Sequence, residues 1–403
     1  MTEKAQFRWY IGGVCSWYAA LGIQLVLFPW LVAVELGAPA DMVGIAQMSI
    51  MLPTLLFVLI GGVTADRVDG RKLLIIMHFL SALPPLALAA IILAGHFSYA
   101  MMIAYALWMG LNSAFMNPAR DAMLNNVAGG NIQRAVTMTT GMQFGIQLLG
   151  FAAASVADTT GAVPILLLQA GVVLIGAFTA MRLPSKAAAE VDHAAPRQSG
   201  LAGIAEGLSA VFRSRRLFPV VILNFAMGVL YLGAFFVLIP LLIRDIHLGD
   251  SSELALANID FTVGTILSTI LMIRRGGVRR PGRAFMLALL VGGLALTAIA
   301  FGLPFWMNHL MVFFWGLCGG VAMAMGRTIV QEDAPASHRA RVLSIYQLVV
   351  FGGSPLGALG MGYLVGSVGP LNAFFLPGNA MAVIVVVMFA ISDLGHGRRP
   401  RDG

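Results

Sequence analysis

The chain has 403 residues, of which 59% are hydrophobic and only 11% charged, and its mean hydropathy is +0.87. Soluble domains carry about a quarter charged residues, so this composition excludes a water-soluble enzyme and a disordered chain and leaves a membrane protein. The formal net charge of +7 then belongs to loops at a membrane surface, with no nucleic-acid partner implied.

Apolar runs of about 20 residues fit spanning helices, whereas barrel strands would alternate in polarity. The fold class is therefore an all-α membrane protein. In chain order the first six predicted spans are Trp9–Val34, Val43–Ala65, Leu73–Ala94, Tyr99–Pro118, Ala135–Ala157 and Ala162–Met181. Six more follow at Leu217–Ile243, Leu254–Ile273, Ala284–Leu303, Leu310–Val330, Val342–Val365 and Leu371–Ile391. The first apolar run is longer than a signal peptide's and has no small-residue cleavage site behind it, so it is expected to be retained as a span. Cys15 and Cys318 both fall inside apolar runs, as small core residues rather than a disulfide.

Twelve alternating spans place the loops on two sides, and cytoplasmic loops collect Lys and Arg. With both termini inside, Arg244 is the one member of the 25 Lys+Arg residues that falls outside, while the outer loops carry Glu35, Asp41, Asp158, Asp245, Asp250 and Glu253. The orientation is thus both termini cytoplasmic. The longest hydrophilic stretch, residues 183–216, is Pro/Ala/Ser-rich and ends in an amphipathic helical pattern. It divides an N-terminal six-helix half, 1–182, from a C-terminal half, 217–403.

A shift of 207 residues lays FGIQLLG (Phe144–Gly150) on FGGSPLG (Phe351–Gly357). The same shift pairs Arg8 with Arg215, Arg67 with Arg274, Gly70 with Gly277, Trp108 with Trp315, Arg120 with Arg327 and Arg134 with Arg341. A constant offset that also aligns loop arginines marks two parallel repeats, the plan of a carrier whose halves rock about a midplane site. No Walker loop, GxSxG, HExxH or His/Cys ligand spacing is present, so neither an enzyme nor a metal or cofactor site is expected.

One acid lies well inside an apolar run. Asp260 is six residues beyond the outer start of span eight, about 9 Å along a helix. Intramembrane acids are functional candidates by default, so Asp260 is the candidate for proton coupling; the plainer alternative is an acid near the mouth, paired to Arg244 or a backbone group.

The loop GVTADRVDGRK (Gly62–Lys72) resembles the signature of the major facilitator superfamily between its second and third helices, with Gly70 where many members carry an arginine. AFMNPARDAML (Ala114–Leu124) and VQEDAPASHRARVLSIYQLVVFGGSPLGALGMGYL (Val330–Leu364) look like the branch that includes the enterobactin exporter. Span four lacks the mid-membrane arginine of many drug antiporters, and Gln147-Leu148 stand where exporters often have Gly-Pro. The resemblance implies an alternating-access exporter in the bacterial inner membrane, monomeric, proton-driven, moving a small amphipathic molecule such as a siderophore, with multidrug efflux as the alternative. A nontransporting scaffold or sensor is the reading from another class.

The same resemblance implies an inner gate in which Asp66 latches to Arg120 and to the start of span eleven near Arg341, with Arg67, Arg71 and Arg327 around it. Ile273 replaces the acid in the second repeat, leaving Arg327 to use Glu332 or Asp333. Polar residues for the cavity wall are Gln24, Gln47, Asn112, Asn117, Gln143, Gln147, Asn224, Tyr231, Asn258, Tyr346 and Gln347, with Trp17, Phe115, Phe235 and Trp315 as aromatics. Each of these also suits helix packing, because membrane helices use amides as interhelical glue.

Overall fold

The computed structural model describes residues 2–128, 132–185, 211–212, 214–334 and 339–395. Among them all regular structure is helical. The long helices are α1 (Glu3–Glu35), α2 (Ala40–Arg67), α3 (Gly70–Leu93), α4 (Tyr99–Val127), α5 (Ile132–Ala154) and α6 (Ala162–Met181). They are followed by α7 (Leu217–His247), α8 (Ser251–Arg274), α9 (Pro281–Ile299), α10 (Phe305–Asp333), α11 (Arg339–Val368) and α12 (Asn372–Ile391). The amphipathic pattern of the linker falls almost wholly outside the described residues.

Among the described residues ten helices are long and apolar enough to cross a membrane; α4 and α5 are not among them. Their polar load explains this: α4 carries Asn112, Asn117, Arg120 and Asp121, and α5 carries Gln133, Arg134, Thr137, Gln143 and Gln147. Helix α4 also runs through Pro118, where the sequence suggested a stop, to Val127. A proline inside a helix forfeits one hydrogen bond, and packed neighbours in a bundle tolerate that loss.

The chain divides into two compact units, residues 1–195 with 248–258, and 196–247 with 259–403. Within unit 1, α1 and α5 approach until backbones touch: a Cβ on Gly150 would lie 2.9 Å from Gly22 Cα and 3.0 Å from Ile23 N. Within unit 2, a Cβ on Gly357 of α11 would lie 2.9 Å from Val229 Cα of α7. Gly150 and Gly357 are equivalent under the 207-residue shift, so one close contact is built twice. Small residues at such crossings let membrane helices gain van der Waals contact where lipid offers no hydrophobic drive.

A second contact type recurs between other helices. Thr54 Oγ1 on α2 donates to Gly110 C=O on α4 at 2.7 Å, and Thr265 Oγ1 on α8 donates to Gly316 C=O on α10 at 3.0 Å. The first helix of each repeat widens into π-helix, over Trp30–Glu35 in α1 and over Met227–Leu232, Ala234–Leu238 and Ile243–His247 in α7. Large apolar side chains such as Leu59, Leu93, Leu149, Leu287 and Val386 stay exposed. Such a surface is costly in water and free of cost against lipid.

Candidate functional site

Asp260 lies on α8 and is partly buried, with 22% of its side chain exposed. Its Oδ2 stands 2.6 Å from Nδ1 of His309 on α10, whose side chain is 14% exposed. Where the carboxylate is ionised it only accepts, Nδ1–H is then the donor, and Nε2 is the other ring nitrogen. Phe305, one turn before His309, packs its ring edge-on at 4.4 Å. Beside this pair Asn308 Nδ2 donates to His247 Nε2 at 2.8 Å, tying the end of α7 to α10.

Arg244, named with a backbone group as the alternative partner for Asp260, pairs with its neighbour Asp245 at 2.5 Å. His309 was not singled out by the sequence. The signal was there in depth: Asp260 is the tenth residue of α8 and His309 the fifth of α10, two helices that start on the same predicted side.

Toward the other ends of the helices the residues expected at the gate differ in environment. Asp66 and Arg67, in the last turn of α2, are exposed, as is Arg327 on α10, and Arg71 is half-buried. Arg120 is buried, with its guanidinium 4.7 Å from the centre of the Tyr18 ring and Nη2 donating to Asn117 Oδ1 at 3.3 Å. Tyr10 OH donates to the Arg120 carbonyl at 3.2 Å. Around Arg120 a cavity of about 20 Å³ is lined by Tyr10, Trp17, His78, Met116 and Thr179, room for a water-sized occupant. Asp333 pairs with Arg216 at 3.1 Å rather than with Arg327. The side chain of Arg341 lies outside the described residues.

Several proposed wall residues are engaged in packing within their own unit. Asn112 Nδ2 donates to Met77 C=O at 3.1 Å and to Ser81 Oγ, binding α4 to α3. Tyr231 OH donates to Leu289 C=O, and its ring meets Trp315 edge-on at 5.8 Å. Asn224 and Asn258 donate back to Val220 C=O and Leu254 C=O, both at 2.8 Å. Phe235 joins Phe261 and Trp315 in an aromatic cluster. Trp17, Gln24, Gln47 and Tyr346 are buried, Phe115, Asn117, Gln143 and Gln147 are half-buried, and Gln347 is exposed.

The helical repeats, the loop signature at Gly62–Lys72 and the doubled helix contacts meet one sequence family. The Major Facilitator Superfamily profile matches residues 10–358. The chain belongs to the Major Facilitator Superfamily. It is a transporter of that superfamily, and its relatives include the multidrug efflux pump Tap of Mycolicibacterium fortuitum, 26% identical over 400 residues and covering 95% of each chain. Tap of Mycobacterium tuberculosis strain H37Rv is 27% identical over 382 residues, covering 91% of this chain and 87% of that protein. The nucleoside transporter NupG shares the fold with a TM-score of 0.71 at 16% identity over 97% of this chain and 99% of that one. A peptide transporter of the POT family, auto-inhibited, gives 0.73 at 14% identity over 99% and 98%.

Proposed function

We propose that this superfamily member is a proton-driven exporter of amphipathic, lipophilic compounds of several chemical types, working by alternating access with twelve spans and both termini in the cytoplasm of a bacterial cell. The observation that carries this reading is the end-to-end similarity to the Tap multidrug efflux pumps, covering 95% of both chains in one case. Polyspecific efflux, the alternative in the sequence reading, thereby takes precedence over siderophore export. An apolar groove of about 440 Å³ along α7, α11 and α12, lined by Val229, Leu230, Leu356, Met361, Tyr363 and Leu376, suits lipophilic cargo.

The coupling acid is Asp260, and the cytoplasmic gate is built from Asp66 with Arg67, Arg71, Arg120, Arg327 and Arg341. A latch made in one state and broken in the other biases the equilibrium only by its differential free energy. The Asp66→Asn variant therefore raises cytoplasmic accessibility of cysteine probes placed near the start of α11; unchanged accessibility removes Asp66 from the gate.

The function itself is tested by ethidium efflux and by susceptibility to unrelated lipophilic cations in a bacterium stripped of its own pumps. Expression of the chain lowers ethidium accumulation and raises tolerance to several of these compounds, and a protonophore abolishes both. Unchanged accumulation, together with siderophore missing from the spent medium of a deletion strain and restored by complementation, overturns the multidrug reading in favour of siderophore export.

A further inference from the structure

His309 was not singled out in the sequence, and the coupling role proposed above was assigned to Asp260 alone. The structure places the two side chains 2.6 Å apart across α8 and α10, at a sequence separation of 49. We propose that the coupling proton is held by this pair as a unit, with His309 as its second member. The inference rests on the proton-driven reading and names the residue that shares the proton at that site.

The chemistry follows from the charges. With Asp260 ionised and the imidazole neutral, the pair carries one negative charge, and Nδ1–H is committed to the carboxylate. One added proton, taken at Nε2 or on the carboxyl, makes the pair electrically neutral. In a low-dielectric setting a neutral, hydrogen-bonded pair is far cheaper to enclose than a net charge, so loading and unloading the proton changes the cost of closing protein around the site. A lone carboxylate would need water or a cation for the same task. The pair supplies its partner internally, and the two groups titrate as one coupled system.

From α7, His247 faces His309 and is itself held by Asn308, while Arg244 and Asp245 one turn earlier are bound to each other. On α8 the nearest other acid is Glu253, two turns before Asp260. From α10 the packed neighbour is Phe305, which is apolar. Two helices thus contribute the proton-holding groups, and the bond between them spans the α8–α10 contact that Thr265 and Gly316 make deeper along the same helices.

The test uses the full chain, purified and reconstituted in lipid. A pH titration followed by infrared difference spectroscopy reads carboxyl protonation without any cargo. Asp260→Asn removes one titrating carboxyl signal, and His309→Gln, which retains an amide donor toward Asp260, moves the midpoint of that signal by a pH unit or more. A merely structural histidine is replaced by glutamine without effect on the titration, so a His309→Gln curve that superimposes on the wild type overturns the proposal. Should either variant fail to fold, ¹⁵N-histidine labelling of the wild-type chain decides. One set of ring signals is expected to shift in step with the carboxyl signal, whichever atom takes the proton, and rings that all stay fixed while that carboxyl titrates overturn the pair.

In proteoliposomes, ethidium movement driven by an imposed pH gradient is expected to fall at least tenfold in His309→Gln while ethidium binding is retained. Gradient-driven ethidium transport that keeps its wild-type pH profile in His309→Gln overturns the proposal. A wild-type protein that moves no ethidium with the gradient, yet shows the coupled titration, overturns the efflux reading and leaves the proton pair standing.

Discussion

The two repeats share a backbone plan and differ in where each buries polarity. Under the 207-residue shift, Asp260 and His309 of unit 2 fall on Pro53 and Met102 of unit 1, and Met102 is fully buried. In the other direction, the buried His78 and Arg120 of unit 1 fall on Phe285, fully buried, and on Arg327, which is exposed. Duplication thus fixes which backbones touch, while the titratable groups have been redistributed so that the acid–histidine pair is found in one repeat and the buried guanidinium in the other. Scaffold and chemistry sit on different positions of the same repeat, so substitutions can address them separately.

The most damaging test addresses the shared scaffold. Gly150→Leu and Gly357→Leu each drive a side chain into partner backbone that has no rotamer to yield, and each is expected to cost about 3 kcal/mol, at the upper end of overpacking penalties. Thermal unfolding in detergent checks this. Gly145→Ala and Gly360→Ala, where a Cβ meets nothing within 4 Å, serve as controls and shift stability by less than about 1 kcal/mol. A large loss in one repeat alone breaks the equivalence of the α1–α5 and α7–α11 contacts.

Next in size is an exchange of chemistry between repeats. Met102→His puts an imidazole at a fully buried position whose partner-equivalent, Pro53, offers no carboxylate, and the expected cost is about 2 kcal/mol for a polar group without a hydrogen bond. Adding Pro53→Asp to Met102→His is expected to recover part of that loss if the two units hold these positions alike. A double variant no better than the sum of its parts shows that the local geometry has diverged.

The sequence carried the helices, the repeat and the family, because spans are long runs of one polarity and the offset survives in residues such as Phe144/Phe351 and Gly150/Gly357. It also marked Asp260 as an acid in an apolar run. It did not carry His309, since a histidine near a span end looks like any other until two helices are set side by side. Nor did it separate wall from packing. Asn112 and Tyr231 have the composition of a cavity lining, yet each donates to a backbone carbonyl of a neighbouring helix in its own unit. The π-helical turns of α7 leave no trace in an apolar run either, because side-chain type does not report a wider backbone turn.

A smaller effect separates the equivalent arginines. Arg120→Ala forfeits the stacking over Tyr18 and the packing of a buried stem and is expected to cost about 1–2 kcal/mol, while Arg327→Ala, exposed, stays within about 0.5 kcal/mol. Chemical denaturation of the two variants side by side checks the contrast. Equal losses would mean that Arg327 carries stability the exposed position does not account for.

The smallest expected effect concerns the start of α8, which is fastened to the first repeat by Ser251 Oγ, accepting from Asp158 N–H at 2.9 Å and donating to Ser155 C=O at 3.0 Å. Just before it, Asp250 caps the helix: Oδ1 accepts from Ser252 Oγ at 2.6 Å and from Ser252 N–H at 2.7 Å. The Ser252 hydroxyl bond above all, with the backbone donors behind it, holds the Asp250 carboxyl below its ordinary range. A depressed folded value means that the unfolded chain binds the proton more readily, so the stabilisation is complete above the unfolded pKa and fades as pH falls below about 4. Asp250→Ala is expected to cost about 1 kcal/mol at neutral pH, as for a typical N-cap, with no matching loss at the start of α2, where Pro39 precedes the helix without a side-chain cap. On acidification the wild type converges toward the variant. A constant gap down to about pH 3 would show that the cap works through backbone conformation and not through the charge.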